Sequence, residues 1–313
     1  MTDLGTNLAP EPAAAALDAG AVVRQLSIRE LTYRRFRAHP MAKWALLMLA
    51  VIVVACYGAS LWHVLWPDFI QAPSQFTLTS ANQPPSPQHL FGTDSLNGHD
   101  IFSLVLYGGR ISIFVGLGSM IVAIVIAIAV GSVSGFFGGI VGALLMRIAD
   151  INYAIPVLLT VPLATRVFGH TNVITIAFIF GIFSWPGPSR IVRSQILSLK
   201  ERQFTESARS LGVPTHRIIY RHLLPNAIGP ILVSFTLGIA NNIVLEAFVS
   251  YLGFGFQPPT YSWGSVMSSA QEYMLQGNWW WITFPGLVLV LTVICVNFIG
   301  DGLRDAFDPS ILR

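Results

Sequence analysis

The chain has 313 residues, of which 53% are hydrophobic and only 11% are charged. A soluble domain has about 25% charged residues, so this composition excludes an ordinary soluble protein and indicates that lipid surrounds most of the chain. The net charge of +3 says little about partners, and no basic stripe interleaved with aromatic residues suggests nucleic acid. Cys56 and Cys295 lie inside apolar runs, where neither a disulfide framework nor a thiolate metal site is expected.

Residues 1–40 are predicted to form a cytoplasmic tail. Residues 1–23 lack an amphipathic period, which predicts disorder. Residues 27–39 mix apolar and basic side chains, and Ser27 with Glu30 is a candidate capping box. Two interpretations of this stretch stay open. It is an interfacial helix on the anionic inner leaflet, or a basic topology anchor before the first span at 41–66.

Six apolar stretches are candidate membrane spans, since about 20 apolar residues cross roughly 30 Å of hydrocarbon. The sequence therefore predicts an all-α membrane protein with six transmembrane helices. The fourth stretch is short and ends in proline and glycine, which are tolerated there only if neighbouring helices satisfy the freed backbone groups. The stretches are 42–66, 109–136, 146–165, 172–188, 225–247 and 282–303.

The distribution of basic residues predicts the topology. Sixteen of the 18 Lys and Arg residues lie before or at the start of the first stretch, at the start of the third, between the fourth and fifth, or after the last, whereas 67–104 and 248–281 contain none. The positive-inside rule therefore predicts cytoplasmic N and C termini and a cytoplasmic loop at 189–224. The exceptions, Arg110 and Arg166, lie at span edges, where a long side chain can snorkel.

The predicted external segment 67–108 carries a motif of its own, Gly-Thr-Asp at 92–94 followed by Gly-His-Asp at 98–100. It resembles the Gly-Thr-Asp-x-x-Gly-Arg-Asp stretch of dipeptide and oligopeptide permeases. Here the spacing is one residue longer, and His99 stands where Arg is usual. Asp94, His99 and Asp100 are also candidate metal ligands. A turn with capped backbone groups is the favoured interpretation.

The polar loop between the fourth and fifth stretches is predicted to be a helix-turn-helix. Phe204, Ala208 and Leu211 recur at roughly helical spacing, Gly212 ends this helix, and Pro214 suits the first turn of the next. A rigid helix on the inner face of a membrane can transmit a push from a partner as a rigid-body rotation. The alternative interpretation is an ordinary basic connector.

This loop resembles the EAA loop of ABC-importer permeases, on which an ATPase subunit docks. That pattern is Glu-Ala-Ala, three residues, Gly, nine residues, then Ile-x-Leu-Pro. Ser207 and His222 depart from it. The resemblance implies that the ATPase-coupling residues are Glu206, Ser207, Ala208, Gly212, Leu224 and Pro225.

The resemblance extends over about residues 90–310. The strings at 221–227, 245–255 and 300–309 resemble those of the dipeptide/oligopeptide/nickel subfamily, and the last resembles the ending of its C-type permease. The implied fold is a type I ABC importer transmembrane domain. Its core is 109–303, which contains the coupling loop, with an extra N-terminal helix at 41–66 and a cytoplasmic C-terminus at 304–313.

The sequence indicates a transporter subunit rather than an enzyme. The only lysines, Lys43 and Lys200, do not follow the glycine pattern of a phosphate-binding loop. The resemblance implies partners in a multi-pass complex of the cell (inner) membrane. They are a second homologous permease, two ATP-binding subunits that hold ATP and Mg, and an external substrate-binding protein. The chain itself is expected to bind no cofactor and no metal.

Three residues of the fifth stretch, Glu246, Asn241 and Asn242, are candidates for the translocation path, because ionisable or polar residues in a span are functional candidates. The alternative for Glu246 is structural pairing with a neighbouring helix or subunit.

The implied cargo is di- or oligopeptide, with nickel or another small solute as the alternative. A stand-alone channel or secondary transporter is the alternative of another class.

Two further structural expectations concern single side chains. Arg147 and Asp150 are expected to pair on one helix face, and Trp263, Trp279, Trp280 and Trp281 are expected to be interface anchors.

Overall fold

The computed structural model describes residues 28–67, 69–75, 78–168 and 172–307. The predicted disordered tail at 1–23, the Ser27 half of the capping box and residues 308–313 lie outside this part of the chain. A π-helical segment, Ile218–Leu223, joins α9 to α10. The helices are α1 (Ile28–Ala38), α2 (Pro40–Leu65), α3 (Ile101–Phe137), α4 (Gly139–Ala154), α5 (Val157–Phe168), α6 (Val173–Ser184), α7 (Pro186–Lys200), α8 (Gln203–Ser210), α9 (Thr215–Arg217), α10 (Leu224–Tyr251), α11 (Trp263–Ser269) and α12 (Trp280–Phe307).

Four helical runs of the described chain are long and apolar enough to cross a membrane. They are α2, α3, the continuous run from Thr215 to Tyr251, and α12. They match the first, second, fifth and sixth predicted stretches. Helix α3 begins eight residues before the predicted boundary at 109, because the carboxylate of Asp100 caps its first turn by accepting from the backbone N–H of Ser103.

The third predicted stretch is not one continuous helix. Helices α4 and α5 are bent by 75° at the break between them, and they give a fifth crossing only if this bent pair counts as one. Ile155 at the break has an extended backbone, as expected for a residue that precedes proline. The stretch predicted at 146–165 is therefore helical but broken, and its crossing of the membrane stays a prediction.

The fourth predicted stretch is shorter than a full span. Helix α6 has 12 residues, which is roughly 18 Å at 1.5 Å per residue and less than the hydrocarbon thickness. Pro186 then begins α7, which continues toward the polar loop. Six full crossings therefore remain a prediction.

Helix α3 is the centre of the bundle, because α2, α6, α7 and α10 all pack against it. Small residues allow this close approach. At Gly131, a Cβ atom would lie only 2.6 Å from the Cβ of Val192 and 2.7 Å from the carbonyl oxygen of Ser189, both in α7. In a membrane, such close packing replaces the hydrophobic driving force that water supplies in a soluble protein.

The N-terminal helix α1 packs on α12 and α2. The ring of His39 follows it and caps α2, accepting from the backbone N–H of Ala42 at 3.1 Å. Its other ring nitrogen lies 3.5 Å from the Asp305 carboxylate at the end of α12. Residues 28–38 thus form a helix, while its role as interfacial helix or topology anchor stays open.

Two smaller expectations are wrong. Trp263, Trp280 and Trp281 are buried in the protein and belong to one hydrophobic cluster, so only Trp279, which is 53% exposed, can meet a membrane interface. All four tryptophans lie in the segment between the last two apolar stretches, which favours an interface, but tertiary packing covers three of them. The carboxylate of Asp150 pairs with Arg190 of α7 at 2.8 Å rather than with Arg147 on its own helix.

Substitution of Gly131 by alanine tests the central role of α3. We expect Gly131→Ala to destabilise the protein by about 1–3 kcal/mol, because the new methyl group collides with backbone and Cβ atoms of α7. The matched control is Gly118→Ala in the same helix, where the nearest atom, the Cβ of Ala177, lies 3.5 Å away. The control should be neutral or slightly stabilising, since alanine favours helix. Thermal unfolding in detergent measures both, and equal midpoints would contradict the packing argument.

Candidate functional site

The predicted coupling loop forms two short helices joined by a tight turn. Helix α8 follows α7 after two residues, and the Thr205 hydroxyl donates to the carbonyl oxygen of Leu199 at 2.9 Å, which fixes the corner between them. Gly212 has a φ of +73°, and nothing lies within 4 Å of the position its Cβ would take. A glycine is favoured there because of its backbone conformation rather than its size.

Helix α8 has one packed face and one exposed face. Thr205 and Ala208 are buried, whereas Glu206, Ser207 and Arg209 are exposed. Next to these polar groups, the side chains of Phe204 and Leu211 are 41% and 83% exposed. The exposed face of α8 therefore combines charged groups with two uncovered apolar side chains.

The packed face of α8 connects it to the bundle. Ala208 belongs to a buried cluster that also contains Val192 and Ile196 of α7, Ile218 and Leu223 of the π-helical segment, and Ala227 and Ile231 of α10. A displacement of α8 would therefore reach α7 and α10 through close-packed side chains.

The connection between the loop and α10 is a π-helical segment, which the sequence analysis missed. It buries Ile218, Ile219 and Leu223, and it leads into Leu224, which is half-buried, and Pro225, which is exposed. Pro225 lacks an N–H group and cannot bond to a carbonyl oxygen in the preceding turn, so that turn is not held to α-helical spacing. Single π-helical turns inside helices are frequent at functional sites.

A cavity of about 610 Å³ opens between α3, α4, α6, α7 and α10. Its described lining contains no Asp, Glu, Lys, Arg or His. The polar groups come from asparagine and serine, and the apolar ones include aromatic rings. Lining residues that represent both kinds are Tyr153, Phe183, Ser184, Ser234, Asn241 and Asn242.

The two asparagines play different parts in this cavity. Asn241 is exposed to it, whereas Asn242 is only 4% exposed. The amide of Asn242 donates to the hydroxyl of Ser119 in α3 at 2.8 Å and accepts from the hydroxyl of Ser184 in α6 at 3.0 Å. Asn242 therefore holds three helices together at the cavity wall, while the Asn241 amide is available to a solute.

Glu246 is not among the described residues that line this cavity. It lies one helical turn after Asn242, on the face of α10 that meets α3, and it is 1% exposed. Its two carboxyl oxygens each accept a hydrogen bond of 2.7 Å from a serine hydroxyl, one from Ser112 of α3 and one from Ser250 of its own helix. This geometry favours the structural alternative for Glu246.

The hydroxyl of Ser112 extends this contact to a third helix, because it also accepts from the backbone N–H of Trp263 at 3.2 Å. The sequence could have indicated Ser250, which lies four residues after Glu246 on the same helix face. It could not indicate Ser112, which is distant in the chain and adjacent only in the fold.

The stretch at 92–100 is a capped turn. One carboxylate oxygen of Asp94 accepts from the backbone N–H groups of Leu96, Asn97 and Gly98, and the other lies 2.7 Å from Nδ1 of His99. Burial raises the pKa of Asp94, but the hydrogen bonds from His99, Asn97 and Gly98 outweigh it and hold the pKa below its usual value.

The metal-site alternative for this stretch has no geometric support. A second pair, between Nδ1 of His89 and Asp100 at 3.1 Å, lies beside the first, and Asp100 is also engaged as the cap of α3. Across the residues that the structure describes, no group of three or more His, Cys, Asp or Glu side chains could hold a metal ion.

Comparison with known proteins identifies the class of transporter. Residues 127–313 match the family described as binding-protein-dependent transport system inner membrane component. The chain is 37% identical to the oligopeptide transport system permease protein OppC of Bacillus subtilis, over 100% of both chains. It is also 37% identical to the dipeptide transport system permease protein DppC of the same organism, over 92% of this chain and 88% of the relative.

A third relative is the glutathione transport system permease protein GsiD of Escherichia coli, which is 37% identical over 95% of this chain and 96% of the relative. Members of this family are permease subunits of ABC transporters and not enzymes. The apolar helices agree with a multi-pass protein of the cell membrane. The chain therefore belongs to the family of inner membrane components of binding-protein-dependent transport systems.

Proposed function

We propose that this chain and a second, homologous permease form the path of an ABC importer for di- and oligopeptides. Two ATP-binding subunits would hydrolyse ATP on the cytoplasmic side, and an external binding protein would deliver the cargo. The chain would cross the membrane six times with both termini in the cytoplasm. The observation that carries the peptide assignment is the full-length similarity to proteins named as dipeptide, oligopeptide and glutathione permeases.

The chemistry of the cavity supports a peptide cargo. Peptides vary in side chain and charge, so a tolerant path has few fixed polar contacts and no strong charge. The described cavity lining has amide and hydroxyl groups and no Asp, Glu, Lys, Arg or His. A dedicated path for nickel would be expected to offer imidazole or thiolate ligands.

The shape of α8 supports its role in coupling. Its exposed face, with Glu206 and Ser207 beside Phe204 and Leu211, is suited to dock in a partner. Its buried face, with Ala208, is packed against α7 and α10, which both line the cavity. ATP-driven motion of the partner would therefore rotate α8 as a rigid element and change the cavity between inward- and outward-open states.

Cysteine labelling tests the topology. With Cys56 and Cys295 replaced by alanine, Gln88→Cys should react with an impermeant thiol reagent added outside intact cells, while Ser198→Cys should not. Both positions are exposed, so access depends on the side of the membrane and not on burial. Labelling of Ser198→Cys from outside, with Gln88→Cys protected, would overturn the orientation.

Charge reversal at the exposed face of α8 tests coupling. We expect Glu206→Lys to reduce peptide transport and cargo-stimulated ATP hydrolysis at least tenfold, because it places a cation at the docking surface without changing packing inside the chain. The matched control is Glu272→Lys, an exposed glutamate in the segment between α11 and α12. Transport assays on reconstituted complexes of normal subunit composition measure both. ATP hydrolysis at the wild-type rate in Glu206→Lys would contradict the placement of Glu206 at the interface with the ATP-binding subunit.

Substitutions in α10 test the path. Asn241→Trp should lower transport severalfold because the indole fills the cavity, whereas Val244→Trp on the same helix should have little effect, since Val244 is not a lining residue. Glu246→Gln should retain transport because an amide can keep a hydrogen bond to each serine hydroxyl. Uptake of a labelled dipeptide at saturating binding protein checks all three. Loss of uptake in Glu246→Gln with normal assembly would indicate instead that Glu246 takes part in the translocation path.

Deletion of the gene tests the cargo. We expect the deletion strain to lose growth on short peptides as the sole source of a required amino acid and to keep normal nickel accumulation. A plasmid copy of the gene should restore growth, and the Glu206→Lys copy should not. Loss of nickel accumulation with normal use of peptides would favour the nickel alternative.

A further inference from the structure

A second cavity, the α1 groove, lies apart from the coupling loop and the transport cavity. It has a volume of about 660 Å³ and lies between α1, the beginning of α10 and the end of α12. Its lining is almost entirely apolar and includes Tyr33, Phe36, Ile228, Leu232, Leu303 and Phe307.

The dimensions of the groove fit part of an acyl chain. Along α10 it extends from Pro225 to Leu232, which is roughly 10 Å at 1.5 Å per residue. It therefore begins at the level where α10 starts and continues into the apolar part of the bundle. The side chain of Ile228 is 43% exposed within the groove, so the protein itself does not fill the space.

The mouth of the groove is basic. The guanidinium of Arg37 lies over the ring of Tyr33, 5.5 Å from its centroid, so a cation is held directly beside a groove residue. Arg34, one turn from Arg37 on α1, is also exposed. Lys43 in α2 and Arg304 in α12 are exposed cations on the neighbouring helices, although Arg304 lines a separate cavity. In a sequence of 11 residues, α1 contains four arginines.

Acidic groups nearby do not cancel this charge. Glu30, Asp301 and Asp305 are exposed on α1 and α12, and the carboxylate of Asp305 is engaged at 3.5 Å by His39. Arg34, Arg35 and Arg37 of α1, with Lys43 and Arg304, outnumber these three carboxylates. An occupant with an anionic head and an apolar tail matches both parts of the site.

We propose that the α1 groove binds one anionic phospholipid, with an acyl chain between α1, α10 and α12 and its phosphate group at Arg37 and Arg34. The lipid would join the N-terminal helix to two spans of the bundle. It would also stabilise the position of α1, whose sequence is compatible with an interfacial helix or an anchor. The proposal depends on membrane residence and not on cargo or coupling.

Native mass spectrometry of the purified complex tests the proposal, with phosphatidylglycerol and phosphatidylcholine as the added probes. The wild-type complex should bind the first at least fivefold more tightly than the second, and added salt should reduce this preference by screening. The double variant Arg34→Gln/Arg37→Gln should bind the two lipids equally. The matched control is Arg110→Gln, which removes a half-buried arginine that donates to Ser60 and lies outside the groove. This variant should keep the preference.

A groove-filling variant separates a specific site from general attraction to a basic surface. Leu232→Trp occupies the apolar part of the groove without changing charge and should lower phosphatidylglycerol binding at least threefold, whereas Leu117→Trp on an exposed part of α3 should not. Unchanged lipid binding in both the arginine and the Leu232 variants would overturn the proposal. Crosslinking of a photoreactive group at Ile228 to a partner subunit instead of lipid would also overturn it.

Discussion

The contact on which the rest of the structure depends is the close approach of α3 and α10. On α3, small residues at Ser112, Gly116 and Ser119 face Ile243 and its neighbours on α10. Lipid provides no hydrophobic force to drive two helices together, so close van der Waals packing and hydrogen bonds between them must do so. Gly116 has no room for a side chain beside Ile243, and the two serines provide hydrogen bonds on either side.

The contact between α3 and α10 also determines which polar side chains of α10 remain available to the cavity. Asn242 and Glu246 lie one turn apart and are both engaged by serine hydroxyls of α3. Asn241 immediately precedes Asn242 on the same helix, so it lies about 100° around the helix axis from Asn242, and it is exposed in the cavity. A buried polar group without a partner is costly in an apolar environment. Asn242 and Glu246, which face α3, are therefore hydrogen-bonded, whereas the amide of Asn241 faces the cavity. The result is a cavity wall that is rigid but has no charge.

The proposed route from the ATPase to the cavity uses the same packing. Ala208 of α8 shares a buried cluster with residues of α7, the π-helical segment and α10, so the loop and the cavity wall belong to one close-packed unit. The π-helical turn at Ile218–Leu223 is the place in this unit where α-helical spacing is interrupted. A segment of this kind can absorb a change in helix direction while the helices on both sides stay intact.

The sequence by itself determined the class of the protein, since composition, apolar stretches and the spacing from Glu206 to Pro225 are local properties of the chain. It also determined the two short helices of the loop and the turn at Asp94, because glycine, proline and capping residues act within a few positions. Only the tertiary structure decided that Glu246 is tied to Ser112, that Trp263 is buried, that Asp150 pairs with Arg190 and that the third stretch bends at Ile155. The first three depend on which distant segments become neighbours. At the bend, Pro156 marks the break locally, but the angle between the two helices depends on how their neighbours satisfy the interrupted backbone groups, and a single sequence does not specify that.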